Sequence, residues 1–294
     1  MNCIRIFAAA GLAFAAATAF AAPALDGTLK KAADTGIFTI GYRDASVPFS
    51  YLDADGKSIG YGNEICKKVA AEVEKTVGRK LTVKWQPITS GNRIPLLLNG
   101  TYDIECGSTT NSLERQKQVA FGTTYFRIGV TAAVKKDSPI KSFKDLNGKN
   151  VSTTSGTTSV TLLRDLRKNG IATRVTPAKD HAEAFQLLAN DRVVANVMDD
   201  ILLAGQIANS KKPGDFRLLD ESISEEPYGP MIRKDPQFKA LVDKTITGMM
   251  KSGELKKLYD TWFTKPIAPH GVNLSFPMNG PTKKAFANPN SDGI

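Results

Sequence analysis

Along the chain, short apolar runs alternate with stretches in which apolar residues return every three or four positions. The first run, Ile37-Phe38-Thr39-Ile40-Gly41, has the β-rich character of a buried strand and ends at the polar Tyr42-Arg43-Asp44. A short helical piece, Leu29 to Asp34, precedes it. From Glu64 onward Ile65, Cys66, Val69, Ala70, Val73 and Val77 share one helical face, and Gly78 is the residue type that caps a helix C-terminus. Leu81, Val83 and Trp85 then alternate as a strand, Ile94 to Leu98 form a short helix, and Tyr102-Asp103-Ile104 open another strand. Strands interleaved with helices predict a mostly parallel sheet.

A second series follows: strands from Val130 to Val134 and Val151 to Thr153, a helix from Val160 to Lys168 closed by Gly170, and a strand from Ile171 to Val175. Asp180-His181-Ala182-Glu183 has capping-box spacing, which places His181 in the first turn of a helix running to Asn190. A strand from Val193 to Met198 delivers Asp199 at its end. Phe238, Leu241, Val242, Ile246 and Met249 mark one helical face, and Leu255, Leu258 and Trp262 another. From Pro266 the Pro- and Asn-rich tail reads as irregular. Two sheets in succession predict an α/β protein of two lobes.

The N-terminus changes the compartment rather than the fold. Arg5, the apolar run Ile6 to Ala17 and the triplet Ala19-Phe20-Ala21 read as a secretory signal peptide, residues 1–21. No later apolar run approaches the roughly 20 residues of a spanning helix, so the expected mature protein is exported to the periplasm and soluble. Cys3 leaves with the signal and is not placed for lipid attachment. Cys66 and Cys106 remain, and in an oxidising compartment they suggest one disulfide, with two buried free thiols as the alternative.

With 41% hydrophobic residues the chain is long enough, at 294 residues, for two folded domains. Its net charge of +10 is scattered in pairs such as Lys67-Lys68, Lys135-Lys136 and Lys211-Lys212, without a basic block and interleaved aromatics, so nucleic acid is not an expected partner. A surplus of this kind favours small anions.

Ligands of open α/β sheets gather beyond the carboxyl ends of the strands, where Arg43, Ser108, Ser155 and Asp199 fall. They come from both lobes, which suits a cleft closing on something small. In Glu105-Cys106-Gly107-Ser108-Thr109-Thr110-Asn111, followed by Glu114-Arg115, hydroxyls and a guanidinium lie within reach of one carboxylate. Helix capping by Ser108 or Thr110, with Arg115 paired to Glu114, is the alternative. Thr153-Thr154-Ser155-Gly156-Thr157-Thr158-Ser159 opens a helix, where an anion is favoured, but lacks the Gly-Lys of a Walker loop. Asp199 or its neighbour Asp200 can accept from an ammonium. His181 is otherwise a surface residue of its helix's first turn. With His181 and His270 the only histidines and no Gly-x-Ser-x-Gly elbow, neither a metal nor a cofactor is expected. A triad of Ser155, His181 and Asp199 has no spacing to support it.

Several segments carry a family likeness: Gly41-Tyr42-Arg43-Asp44-Ala45-Ser46-Val47-Pro48-Phe49-Ser50-Tyr51, Ile88-Thr89-Ser90-Gly91-Asn92-Arg93-Ile94-Pro95, the Glu105 to Asn111 segment with Glu114-Arg115-Gln116, Ala178-Lys179-Asp180-His181, Met198-Asp199-Asp200 and Tyr228-Gly229-Pro230-Met231. Over about Leu29 to Pro266 the chain resembles the glutamate/aspartate-binding periplasmic proteins of ABC importers. The resemblance implies a type II two-lobe periplasmic-binding-protein fold with its ligand in the interlobe cleft. Lobe I would comprise residues 22–126 and 230–294 and lobe II residues 127–229, with crossovers near Phe126-Arg127 and Tyr228-Gly229. It further implies Ser108, Thr110 and Arg115, with Thr158 from the other lobe, around the α-carboxylate, and Asp199 on the α-ammonium. Arg43, Ser90, Arg93 and a neutral His181 would surround the distal carboxylate. Three arginines and one aspartate then give a slightly positive sum with a ligand of net charge −1. A monomer delivering L-glutamate or L-aspartate to a membrane permease, without catalysis, is the implied function. At Pro230, where some relatives carry a cysteine, this chain has none, which leaves Cys66 as the partner of Cys106. The rival readings are a lyase resembling cyclohexadienyl dehydratases, with Glu105 as its acid, and a sensory ligand-binding domain.

Overall fold

The computed structural model describes residues 24–294; the signal-peptide reading of residues 1–21, and Cys3, lie outside it. No described helix is long and apolar enough to cross a membrane. The first sheet has the spatial order Thr82–Pro87, Ile37–Tyr42, Ile104–Glu105, Met231–Ile232, Ala120–Phe121. Its first three strands are parallel, as the strand–helix alternation predicts, while the late strand Met231–Ile232 runs antiparallel to both neighbours. The second sheet is ordered Arg174–Ala178, Asn150–Thr154, Ala195–Asp199, Phe126–Lys135, Phe216–Leu218.

Two antiparallel strands connect the lobes. Phe126–Lys135 leaves the first lobe and Glu225–Tyr228 returns to it, with Phe126 opposite Tyr228. Their lobe I ends are set in an aromatic cluster of Phe49, Tyr61, Phe126, Tyr228, Tyr259 and Phe263, each fully buried. Ring centroids of Phe126 and Phe263 are 4.9 Å apart and those of Phe49 and Tyr228 5.2 Å. Each buried ring contributes about 1.5–3 kcal/mol by burial, so packing holds the base of the connection.

Strand boundaries shift where pairing overrides local pattern. The strand expected from Ile171 to Val175 is Arg174–Ala178, because its register is set by Asn150–Thr154, Arg174 facing Asn150. The tail is a clearer correction. It forms a hairpin, Pro266–Ile267 with Val272–Asn273, and then a helix, Gly280–Ala287, whose N-cap Asn279 accepts from the Thr282 N–H. Pro281 sits in the first turn, where helical N–H groups lack intrahelical partners anyway, so composition that reads as loop is here cap chemistry. Thr282 Oγ1 accepts from the Arg127 N–H at 3.0 Å and Asn279 donates to the Arg127 carbonyl at 2.9 Å, which ties this helix to a connecting strand.

The long helix Tyr61–Val77 begins against the binding loop of lobe I. At Gly62 a side chain is impossible: its Cβ would lie 1.5 Å from the Cys106 carbonyl oxygen. One turn on, Cys66 is disulfide-bonded to Cys106, with Cα atoms 5.7 Å apart.

Candidate ligand-binding site

Each expected polar residue lies at the carboxyl end of a strand or the start of the following helix. Arg43 follows Ile37–Tyr42, Arg93 opens the helix Arg93–Leu98, and Ser108 and Thr110 follow Ile104–Glu105. From the second lobe come Thr158, opening the helix Thr158–Lys168, His181, opening His181–Ala189, and Asp199, ending Ala195–Asp199. Arg43 and Arg93 are 2% exposed and His181 and Asp199 3%. His181 is therefore not a surface residue, and Ser155, which is exposed, forms no triad with it.

At one end of the cleft Arg43 Nη2 donates to Ser90 Oγ at 2.7 Å and lies 3.5 Å from His181 Nε2. Burial, then the charges of Arg43 and Arg93, hold the His181 pKa well below its usual 6.5, so the ring is neutral. A guanidinium only donates, so Nε2 is the accepting nitrogen and Nδ1–H donates to Thr154 Oγ1 at 2.8 Å. Burial and the repulsion of Arg93 lower Arg43 to about 10, still charged at neutral pH.

In the middle Arg93 donates to Thr109 Oγ1 at 2.7 Å and, across the cleft, to the Gly156 carbonyl at 3.2 Å. Glu105 lies beneath this loop, accepting from Thr109 Oγ1 at 2.6 Å and from the Gly107 N–H at 3.0 Å. Ser108 donates to Ser46 Oγ at 3.1 Å.

At the other end Arg115, half-buried, donates to the Thr110 carbonyl at 2.7 Å and to the Gly156 carbonyl at 3.2 Å. Ser112, not Ser108 or Thr110, caps the short helix Leu113–Gln116, and Glu114 pairs with Lys117, so the capping alternative does not hold. Thr110 and Thr158 both donate to Glu226 Oε2, at 2.6 and 2.8 Å. Asp199 Oδ2 accepts from the Tyr228 hydroxyl. Burial, then the charge of Glu226, raise Asp199 to about 8. Asp200 bonds the N–H of Ile201 in its own helix, which leaves Asp199 as the carboxylate facing the cleft.

The structure thus gathers Arg43, Ser90, Arg93, Ser108, Thr110, Arg115, Thr158, His181 and Asp199, and adds Ser46, Thr109, Thr154, Glu226 and Tyr228. The charge accounting is corrected by Glu105 and Glu226, both buried, so three arginines face three carboxylates. With Asp199 protonated at neutral pH, one net positive charge remains. Glu226 had a legible signal, since it stands two residues before Tyr228 in an extended segment and alternation puts both on one face. Among the described residues no set of three metal-ligating side chains is assembled. Buried polar atoms are normally satisfied. Arg43 Nη1, Arg93 Nε and Asp199 Oδ1 are buried without a hydrogen-bond partner, which leaves two donors and a carboxyl oxygen, an acceptor when Asp199 is ionised, for a molecule carrying both signs of charge.

Known proteins match the chain closely. The L-glutamate/L-aspartate-binding protein of Pseudomonas aeruginosa is 50% identical over 271 residues, which cover 90% of this chain and 89% of that protein. The glutamate/aspartate import solute-binding protein of Escherichia coli is 46% identical over 277 residues, covering 93% and 92%. Among solved structures, an arginine-binding protein mutant from T. maritima superposes with a TM-score of 0.71 at 27% identity, over 80% of this chain and 99% of that one. An ancestral amino-acid-binding protein, described as a precursor of cyclohexadienyl dehydratase, gives 0.69 at 32% identity, over 81% and 100%. The architecture is the type II two-lobe periplasmic-binding-protein fold. Since the pattern of the bacterial extracellular solute-binding proteins, family 3, matches residues 38–265, the chain belongs to that family.

Proposed function

We propose that the protein captures L-glutamate and L-aspartate in the periplasm, after removal of residues 1–21, and presents them to the membrane permease of an ABC importer. The observation that carries this reading is the pair of buried, unpartnered donors on Arg43, at one end of the cleft, and Arg93, in its middle, opposite the end that holds Arg115 and Asp199. A monocarboxylic amino acid leaves the first pair unmet; an acidic side chain meets it with a charge-assisted acceptor. Arg43, Ser90 and Arg93 receive the distal carboxylate, with His181 accepting from Arg43 beside it, Arg115 receives the α-carboxylate and Asp199 the ammonium. Residues 22–126 and 230–294 form lobe I and 127–229 lobe II, which close on the ligand.

The relatives named above, at 50% and 46% identity, carry glutamate/aspartate binding in their names, which supports the same ligands here. A lyase would need a free general acid, and both Glu105 oxygens accept from the protein's own Thr109 and Gly107. The protein therefore catalyses nothing in this reading. A thermal-shift screen of the twenty amino acids on unfolded-and-refolded protein tests it, since a ligand at 100 times its Kd adds about 2.7 kcal/mol. Glutamate and aspartate should give the largest shifts; shifts confined to basic or apolar amino acids would overturn the assignment.

A further inference from the structure

Glu226 is 1% exposed and is carried by the returning strand Glu225–Tyr228. A carboxylate oxygen only accepts, so both hydroxyl protons, from Thr110 at 2.6 Å and Thr158 at 2.8 Å, are committed to Glu226 Oε2. Each hydroxyl has one proton and two lone pairs. Thr110 and Thr158 therefore face the cleft as acceptors. Glu226 Oε1 is held by the Ser224 hydroxyl at 3.0 Å, which steadies the carboxylate. Tyr228, on the same face of the strand, occupies Asp199 Oδ2 and leaves Oδ1 buried without a partner, an acceptor once an arriving ammonium displaces the Asp199 proton. A carboxylate placed against the two threonine hydroxyls would meet their lone pairs, whereas Arg115 offers it donors beside them.

We propose that Glu226 is a specificity-determining positioning residue: by taking the protons of Thr110 and Thr158 it turns both hydroxyls into acceptors for the ligand's α-ammonium. This rests on the functional reading above and departs from it in one respect, because it moves Thr110 and Thr158 from the α-carboxylate to the ammonium and leaves the α-carboxylate to Arg115. Thr110 belongs to the first lobe and Thr158 to the second, so the acceptor pair forms only when the cleft closes.

Calorimetry with glutamate and with glutarate, which has the same carbon skeleton and no ammonium, separates this role from a structural one. In Glu226→Gln the amide can donate to the threonines and reverse their polarity. Glutamate should weaken about tenfold or more, the value of one hydrogen bond to a charged group, while glutarate changes little. Thr158→Val should narrow the same ratio, and Glu226→Asp, which keeps the carboxylate, should preserve most of it. Equal losses for both ligands in Glu226→Gln, or none, overturn the proposal. Should Glu226→Gln not fold, as judged by circular dichroism, Thr158→Val and Glu226→Asp decide the matter by the same ratio. A parent protein that binds neither glutamate nor aspartate overturns the functional reading instead; the ratio is then read with the amino acid that gives the largest thermal shift and its counterpart lacking the amine.

Discussion

Arg93 of the first lobe donates through Nη2 to the carbonyl oxygen of Gly156 in the second at 3.2 Å. Arg115 donates to the same oxygen, so one backbone carbonyl receives two guanidiniums from across the cleft. Gly156 has φ +78°, and a Cβ there would lie 2.6 Å from the Ser90 carbonyl and 2.8 Å from Gly91 N.

Gly156→Ala should therefore oppose closure. The left-handed backbone costs an alanine about 1–2 kcal/mol in either state, whereas the clash with Ser90 exists only when the lobes meet. Ligand affinity should fall about tenfold or more with the ligand-free melting temperature lowered by only a few degrees. Calorimetry and small-angle scattering with and without ligand check this; parent-like affinity would show that the contact is not made in the liganded form.

Arg43 should determine which amino acids are held. Arg43→Met removes a buried charge assigned to the side-chain carboxylate, and glutamate and aspartate should weaken by about 2–5 kcal/mol, with glutamine and asparagine losing much less. The measurement is calorimetry on refolded protein. Equal losses for acids and amides would give Arg43 a general structural role.

Asp199 and His181 should shape the pH dependence of stability in opposite windows. Asp199 binds its proton more tightly folded, at about 8, than unfolded, at 3.8, so between those values the folded state carries the extra proton and stability falls as pH rises. His181 stays neutral when folded, so stability is lost as pH falls below its unfolded value of 6.5. Asp199→Asn should flatten the alkaline slope in urea titrations of ligand-free protein between about pH 5 and 8. An unchanged slope would mean that Asp199 is ionised throughout.

Reduction of Cys66–Cys106 should cost about 2–5 kcal/mol, the usual loss for a native disulfide. The bridge ties the helix Tyr61–Val77 to the loop bearing Ser108 and Thr110, so ligand affinity should weaken as well. Thermal melts with and without reductant, with alkylation confirming free thiols, provide the readout; identical melts would assign the bridge no stabilising role.

Removing residues 279–294 should loosen the connection between the lobes. Arg127 would lose its part-buried partners Thr282 and Asn279, hydrogen bonds worth about 0.5–1.5 kcal/mol each. The Leu113 N–H would also lose the Ile294 carbonyl, 2.7 Å away beside the binding loop. A lower melting temperature and faster ligand release in stopped-flow are expected. A truncated protein with parent-like values for both would leave the helix Gly280–Ala287 without a part in the connection.

Much of the fold was legible because strands and helices announce themselves over a few residues. The face formed by Ile65, Val69 and Val73 and the cap at Gly78 are local features, and the structure reproduces them as the helix Tyr61–Val77. The tail after Pro266 was misread for an equally local reason: Asn279 and Pro281 are loop residues by composition and helix-start residues by position. Ser155 reads as a strand-end residue and His181 as a first-turn helix residue, yet burial, which no short window reports, separates them.

By itself the sequence determined which residues could serve the ligand, because polar side chains at the carboxyl ends of strands are placed there by periodicity alone. It also determined that Cys66 and Cys106 were the pair available. Tertiary structure decided what those residues do. Thr110 and Glu226 are 116 positions apart and Thr158 and Glu226 68, so the oxygen that takes each hydroxyl proton is chosen by the packing of distant segments. The same holds for Gly156: its left-handed backbone favours glycine locally, but the close approach of Ser90 and Gly91 comes from the opposite lobe. A hydrogen bond has a direction as well as a length, and that direction follows from the whole set of neighbours competing for one proton.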